Sequence, residues 1–341
     1  MSEPLSPAKI VELARGFMSA KVLLVATKLH LFDTLAGGTL TGSAIRERLG
    51  LHPRAIPDFL DALVALGMLE RDGDGDGARY ANTPAAARFL VRGGDGWVGG
   101  LLEMYNDRLF PFWADLDEAL RTGAPQNESK RTGASMFEEL YRDPVRLEQF
   151  MTAMSGLSRP NFLALAERFD FRPYRTLCDV GGAAADLSCA IADRHPHLRC
   201  TSFDLPVVEP IARAAIARRG LADRVTPVAG DFFHDRLPRA DVITMGMILH
   251  DWNLEKKRAL IGAAYEALPD GGAFIAVEHL IDDARRTNVF GLLMSLNMLI
   301  EFGDAFDFTG ADFRGWCGEA GFRRVEVLPL GGPASAAIAY K

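Results

Sequence analysis

Thr176-Leu177-Cys178-Asp179-Val180-Gly181-Gly182-Ala183-Ala184-Ala185-Asp186 decides the fold. Five residues of strand character run into a glycine pair, and the chain then resumes with a helical pattern. A glycine turn at the carboxyl end of a strand lets a ligand approach the backbone closely. Further short apolar runs follow at 200–203, 225–229, 242–245 and 274–277, most of them separated by helical stretches. That alternation predicts a doubly wound parallel sheet. The last two runs, 325–328 and 336–340, are separated only by a Gly/Pro-rich connection, which predicts an antiparallel hairpin at the sheet edge.

In such a sheet, ligands sit beyond the carboxyl ends of the strands. The second strand ends in Phe203-Asp204-Leu205-Pro206, an acid about two dozen residues past the first strand, placed to accept hydrogen bonds from both ribose hydroxyls of a nucleoside. The third ends in Gly230-Asp231-Phe232-Phe233, a carboxylate and ring suited to an adenine amino group and its face. A dinucleotide would need G-x-G-x-x-G to seat its pyrophosphate. Gly181 to Asp186 lacks the later glycines and carries an acid there, which argues against one.

The fourth strand ends in Met247-Ile248-Leu249-His250-Asp251-Trp252 and the fifth in Val277-Glu278-His279. With the later Asp307, these supply an imidazole and two carboxylates. Imidazole titrates nearest neutrality, so it can take a hydroxyl proton at cellular pH, and a carboxylate on its other nitrogen fixes the tautomer. His250-Asp251 with His279 also raises a metal site. Neighbours in a strand point to opposite faces, however, and no second ligand pair at metal spacing is evident, so no metal is expected.

The first half reads as helix. Residues 8–35 carry apolar positions at helical spacing, and so broad an apolar surface needs cover from another domain or a second subunit. A short helix from Leu40-Thr41-Gly42 to about Arg48 is closed by Gly50, and a second helix spans 53–69. Strands at 69–71 and 79–81 flank a Gly/Asp-rich tip, completing a winged-helix pattern. That pattern raises DNA binding and a ligand-responsive regulator. The second helix carries one Arg, two Asp and no Lys, Gln or Asn, so it is poorly equipped to read bases or hold phosphates. Residues 100–165 are helical and aromatic, with Tyr105, Phe110, Phe112, Trp113, Phe137, Tyr141, Phe150 and Phe162 joined by Met151 and Met154. Such a stripe is more often core than pocket, yet interdomain connectors are where small-molecule clefts form.

A length of 341 residues leads one to expect two domains, and a net charge of −7 opposes phosphate binding. The four cysteines form no C-x-x-C pair and read as reduced core thiols. The amino terminus lacks a basic segment followed by an apolar one, and no run reaches membrane-spanning length, so a cytoplasmic location is expected with no membrane partner.

With its most specific motif in Ile248-Leu249-His250-Asp251-Trp252, the chain resembles the class I S-adenosylmethionine-dependent O-methyltransferases of the plant caffeate and acetylserotonin type, and their bacterial natural-product relatives. The resemblance covers nearly the whole chain. It implies an α/β protein with a winged-helix-like dimerisation domain (1–99), a helical connector lining the substrate pocket (100–165) and a Rossmann-like domain binding S-adenosylmethionine (166–341). It implies Gly181 at the methionine part of the cofactor, Asp204 at the ribose, and Asp231 and Phe232 at the adenine, with Leu205 and Trp252 completing the cofactor site. His250 is implied as general base with Glu278 and Asp307 beside it, a shorter carboxylate than the family's usual glutamate standing at Asp307. Met154, Met298 and Phe302 fall where the family lines its acceptor pocket. A homodimer, a small aromatic acceptor and no nucleic acid follow from the same resemblance. Relatives that methylate carbon or nitrogen, or use the cofactor without methylating, keep the reaction itself open. Two departures stand out: Gly181-Gly182-Ala183-Ala184-Ala185 replaces the usual G-G-G-T-G, and Gly246 replaces a lysine that plant members place near the adenine.

Overall fold

Residues 6–94, 96–133 and 144–341 are described by a computed structural model, in which the chain divides into two units, Met1–Pro111 and Phe112–Lys341. Phe137 and Tyr141 of the aromatic stripe lie outside the described residues.

The first unit opens with the helix Ala8–Lys28. The helical pattern does not run unbroken to residue 35, because His30 adopts a left-handed φ of 56° and starts the short helix Leu31–Thr34. Strand β1 (Leu40–Thr41) precedes the helix Gly42–Leu49, where the Thr41 hydroxyl caps the Ala44 N–H and Gly50 closes the helix at φ 64°. The second helix is shorter than its pattern: Pro53–Ala55 winds as 3-10 helix and Ile56–Ala65 as α-helix. Gly67 then takes a φ of 73° and turns the chain into β2 (Leu69–Asp72). Strand β3 (Arg79–Asn82) pairs antiparallel with β2 and also with β1, so Leu40-Thr41 serves as a third strand of the wing. Ile45, Leu60, Leu63 and Leu69 are sealed in one core beneath it.

The second unit holds the seven-stranded sheet β4 (Thr176–Val180), β5 (Arg199–Asp204), β6 (Val225–Ala229), β7 (Val242–Gly246), β8 (Ala273–Glu278), β9 (Arg324–Gly331) and β10 (Ala334–Tyr340). Their order is β6-β5-β4-β7-β8-β10-β9. The first five strands are parallel; β10 returns antiparallel to β8, and β9 pairs antiparallel with β10. The chain starts at the centre, works out to β6, then crosses back to β7. That reversal puts the switch point at the ends of β4 and β7. Apolar clusters pack on both faces of the sheet, as a parallel sheet requires. All four cysteines are free and buried. Among the described residues, no helix is long and apolar enough to cross a membrane.

Candidate active site

Each strand end contributes one piece of the site. Beyond β4, Gly181 takes a φ of 70° and donates its N–H to the Phe203 carbonyl at 2.9 Å. A Cβ at Gly181 would lie 2.3 Å from Ile248, one at Gly182 2.2 Å from the Ser202 hydroxyl, and one at Gly230 2.4 Å from the Phe203 ring. Only glycine leaves the backbone open at these points. The alanines behave differently. Ala183 and Ala185 adopt φ values of 47° and 60°, the left-handed region that a Cβ disfavours. Ala183 gains a contact in return: with Ala184 it packs against Leu147, Met151 and Val208.

Asp204 closes β5. One oxygen accepts the Ala183 N–H at 2.8 Å and the other the Leu205 N–H at 2.7 Å. Each oxygen keeps a second lone pair for a ribose hydroxyl. Burial raises its pKa against these two bonds. Below it, Asp179 is buried with Thr244 and Ser188 donating to it, and burial lifts its pKa to about 7. Beyond β6, the Asp231 carboxylate accepts the Phe233 N–H at 2.8 Å. Phe232, Phe233 and Trp252 meet edge to face with centroids 4.7 to 6.0 Å apart. The six residues expected at the cofactor therefore stand at the ends of four adjacent strands. A Cβ at Gly246 would sit 2.9 Å from the Phe162 ring, so a side chain there meets an aromatic wall. These residues fit a nucleoside bearing a positively charged methionine.

The base turn follows β7. Met247 takes a φ of 59° and donates its N–H to the Val277 carbonyl, which swings the chain into a 3-10 turn at Leu249–Asp251. Glu278 fastens that turn, one oxygen accepting the Leu249 N–H at 2.9 Å. Asp307 arrives separately: Ile281 donates its N–H to the Phe308 carbonyl, and an isolated parallel bridge joins Ile281 to Thr309. His250 Nδ1 consequently lies 3.4 Å from Asp307 Oδ1 and 3.7 Å from Glu278 Oε2. Its Nε2 lies 3.2 Å from Asp251 Oδ1, a third carboxylate that the motif contained but charge patterning did not single out. Burial opposes charge on the ring, yet Asp251, Glu278 and Asp307 outweigh it and hold the pKa well above the usual histidine value. Burial likewise lifts Glu278 to about 7, with Asp307 and Asp251 adding to it and His250 opposing. His279 packs its ring against Phe290 at 4.7 Å.

Met298 and Phe302, four residues apart, share a face of the helix Val289–Phe302, which packs against the base turn. Met298 is buried and Phe302 half-buried, as is Met154 on the helix Pro144–Arg168.

A parallel sheet finished by an antiparallel hairpin, with an acid at a strand end beside a glycine turn and a buried imidazole two strands away, is the build of a class I S-adenosylmethionine-dependent methyltransferase. The comparisons narrow that class. Residues 113–323 match the O-methyltransferase domain and residues 11–92 the O-methyltransferase dimerisation domain. The chain belongs to this O-methyltransferase family, and it is an S-adenosylmethionine-dependent O-methyltransferase. It is 41% identical to the tetracenomycin polyketide synthesis 8-O-methyl transferase of Streptomyces glaucescens, over 98% of this chain and 97% of that one. Identity is 38% with an N,N-dimethyltransferase of Streptomyces rimosus, over 94% and 93% of the two chains. The crystal structure of human N-acetylserotonin methyltransferase in complex with SAM superposes with a TM-score of 0.90 at 28% identity, covering 100% of this chain and 99% of that one.

Proposed function

We propose that the enzyme methylates a phenolic hydroxyl of a small aromatic, polyketide-type molecule, with His250 as general base. The observation that carries this is the placement of His250 Nδ1 against Glu278 and Asp307, which leaves Nε2 as the proton acceptor. The acceptor hydroxyl takes the position that Asp251 holds at Nε2. Its proton passes to the neutral ring, and Glu278 and Asp307 at Nδ1 stabilise the imidazolium that forms. S-adenosylmethionine supplies an electrophilic methyl group on a sulfonium. Asp204 would hold the ribose and Asp231 with Phe232 the adenine, with Gly181, Leu205 and Trp252 completing the cofactor site. The chain's task is then alignment of oxygen, carbon and sulfur. Met154, Met298 and Phe302 offer polarisable, flat-sided contacts to an aromatic acceptor. The name of the Streptomyces glaucescens relative supports the polyketide class.

The same reading gives the chain three parts, 1–99, 100–165 and 166–341, with a homodimer formed through the first. Ile10, Leu13 and Phe17 recur at helical spacing and are 73%, 84% and 56% exposed, a stripe that a second copy would cover. A role in reading DNA is disfavoured because the second helix sets one arginine, Arg54, against two acids, Asp58 and Asp61.

The test offers S-adenosylmethionine with paired phenol and aniline acceptors of one aromatic skeleton to wild type and His250→Ala. Turnover of the phenol by wild type alone is the expected result. Equal turnover of the phenol by His250→Ala would remove the base, and preference for the aniline would assign the chain to N-methylation.

A further inference from the structure

One residue joins the base turn to the segment that carries Asp307, and it belongs to neither. Lys257, on the helix Leu254–Ala267, is completely enclosed at 0% exposure. Lysine is almost never fully buried unless its charge is matched. Its Nζ donates to the Trp252 carbonyl, the residue that ends the base turn. The same ammonium stands 3.7 Å from the centroid of the Phe306 ring and 5.9 Å from that of Phe308, the two neighbours of Asp307 in sequence. No carboxylate among the described residues reaches ion-pair distance, so its partners are a carbonyl dipole and an aromatic face. One side chain thereby grips both segments that must meet at the imidazole.

We propose that Lys257 is a positioning residue for methyl transfer: it holds turn 249–252 and segment 306–308 in register, and it places a positive charge beside the carboxylates that surround His250. The proposal rests on His250 as the base. The groups facing this region are Asp251, Glu278 and Asp307 around the ring, Asp304 at the margin, His279 on the neighbouring strand end, and Lys257 itself. Glu278, Asp251 and Asp307 crowd acidic groups round one imidazole in a buried space. Lys257 offsets them. Burial lowers the lysine's own pKa to about 8 with the four acids resisting, so it remains mostly charged near neutrality.

Two variants separate charge from scaffold. Lys257→Met removes charge and donor together, while Lys257→Gln keeps a donor for the Trp252 carbonyl and removes the charge. The readout is the titration of the His250 ring by NMR in the full chain, alongside kcat and KM. Loss of a nearby cation favours the imidazolium, so the ring midpoint is expected to rise in both variants by about one unit, a tenfold change in proton affinity. At pH 7 kcat then falls about tenfold, while KM for cofactor and acceptor stays near wild type. A ring midpoint equal to wild type in either folded variant overturns the proposal. Failure of both variants to fold overturns it too, since Lys257 would then serve stability alone. Full activity of His250→Ala would instead sink the base assignment, a failure read in turnover and distinct from any shift of the ring midpoint in the Lys257 variants.

Discussion

The cofactor side of the sheet and the base side are built on opposite terms. At the ends of β4, β5 and β6, polar groups are tied to nearby backbone: Asp204 to Ala183 and Leu205, and Asp231 to Phe233. At the ends of β7 and β8, buried polar atoms are left without hydrogen bonds among the described residues, namely His250 Nδ1, Glu278 Oε2 and both oxygens of Asp307. Buried polar atoms are nearly always hydrogen-bonded, so four exceptions in one cluster mark a place where stability is given up. The cofactor side is the more complete mould, although Ser202 Oγ on β5 is a buried orphan there too, whereas the base side gathers its unpaired atoms round one ring, an electrostatic tension that proton transfer would use.

The contrast breaks most clearly at its two anchors. His250→Ala is expected to lower kcat by about 1,000-fold while the dissociation constant for S-adenosylmethionine, measured calorimetrically, does not move. Equal losses in both quantities would mean the two sides are one unit. Asp204→Ala should act in reverse, weakening cofactor binding about 100-fold through two lost hydrogen bonds and leaving the acid limb of the pH–rate profile in place.

Acidity sharpens the comparison further. Because the carboxylates hold His250 above its ordinary value, the acid limb of kcat/KM should lie above pH ~6.5, with activity rising as the ring loses its proton. Stability has the opposite slope. A histidine whose folded pKa is raised contributes its full stabilisation below its unfolded pKa of about 6.5 and loses it as pH climbs through the folded value. The melting temperature of wild type relative to His250→Gln should therefore decline across that alkaline interval, and a flat difference would deny the tension.

The smallest effect belongs to the mould. Ala183→Gly relieves a left-handed alanine and is expected to add about 0.5 kcal/mol in denaturant unfolding, the relief being offset in part by unfolded-state entropy. Ala185→Gly relieves the same backbone but empties a fully buried methyl site, so it should gain nothing. A larger gain at Ala185 would place the strain, rather than the packing, in control of the loop.

Much of the fold was legible because its signals are local. The strands at 176–180 and 225–229 have the bounds read from their apolar runs, and the Gly/Pro connection announced the hairpin of β9 and β10. Errors fell where backbone conformation overrode pattern, as at His30, which interrupts the first helix, and Gly67, which stops the second early. Leu40-Thr41 looked like a helix entry; cross-strand pairing to Arg79 and Tyr80 made it a strand first. In the candidate site, Asp251 entered the sequence reading only with the metal site that was set aside, and Lys257 carried no signal at all. A lysine on an amphipathic helix reads as a solvent-facing residue, and nothing in its neighbours' spacing tells of the Phe306 ring or the Trp252 carbonyl that meets its ammonium.

The sequence by itself determined the parallel sheet, the glycine turn and the acids at the strand ends, since each depends on residues within one short segment and the alternation of the chain. The meeting of positions 250, 278 and 307 was implied by the family resemblance; only the tertiary structure decided that Asp251 occupies the ring's second nitrogen and that a buried ammonium joins the Trp252 carbonyl to the Phe306 ring. The reason is physical. Pattern and propensity act between neighbours along the chain, whereas charge, desolvation and pKa depend on what the finished packing brings within a few ångströms.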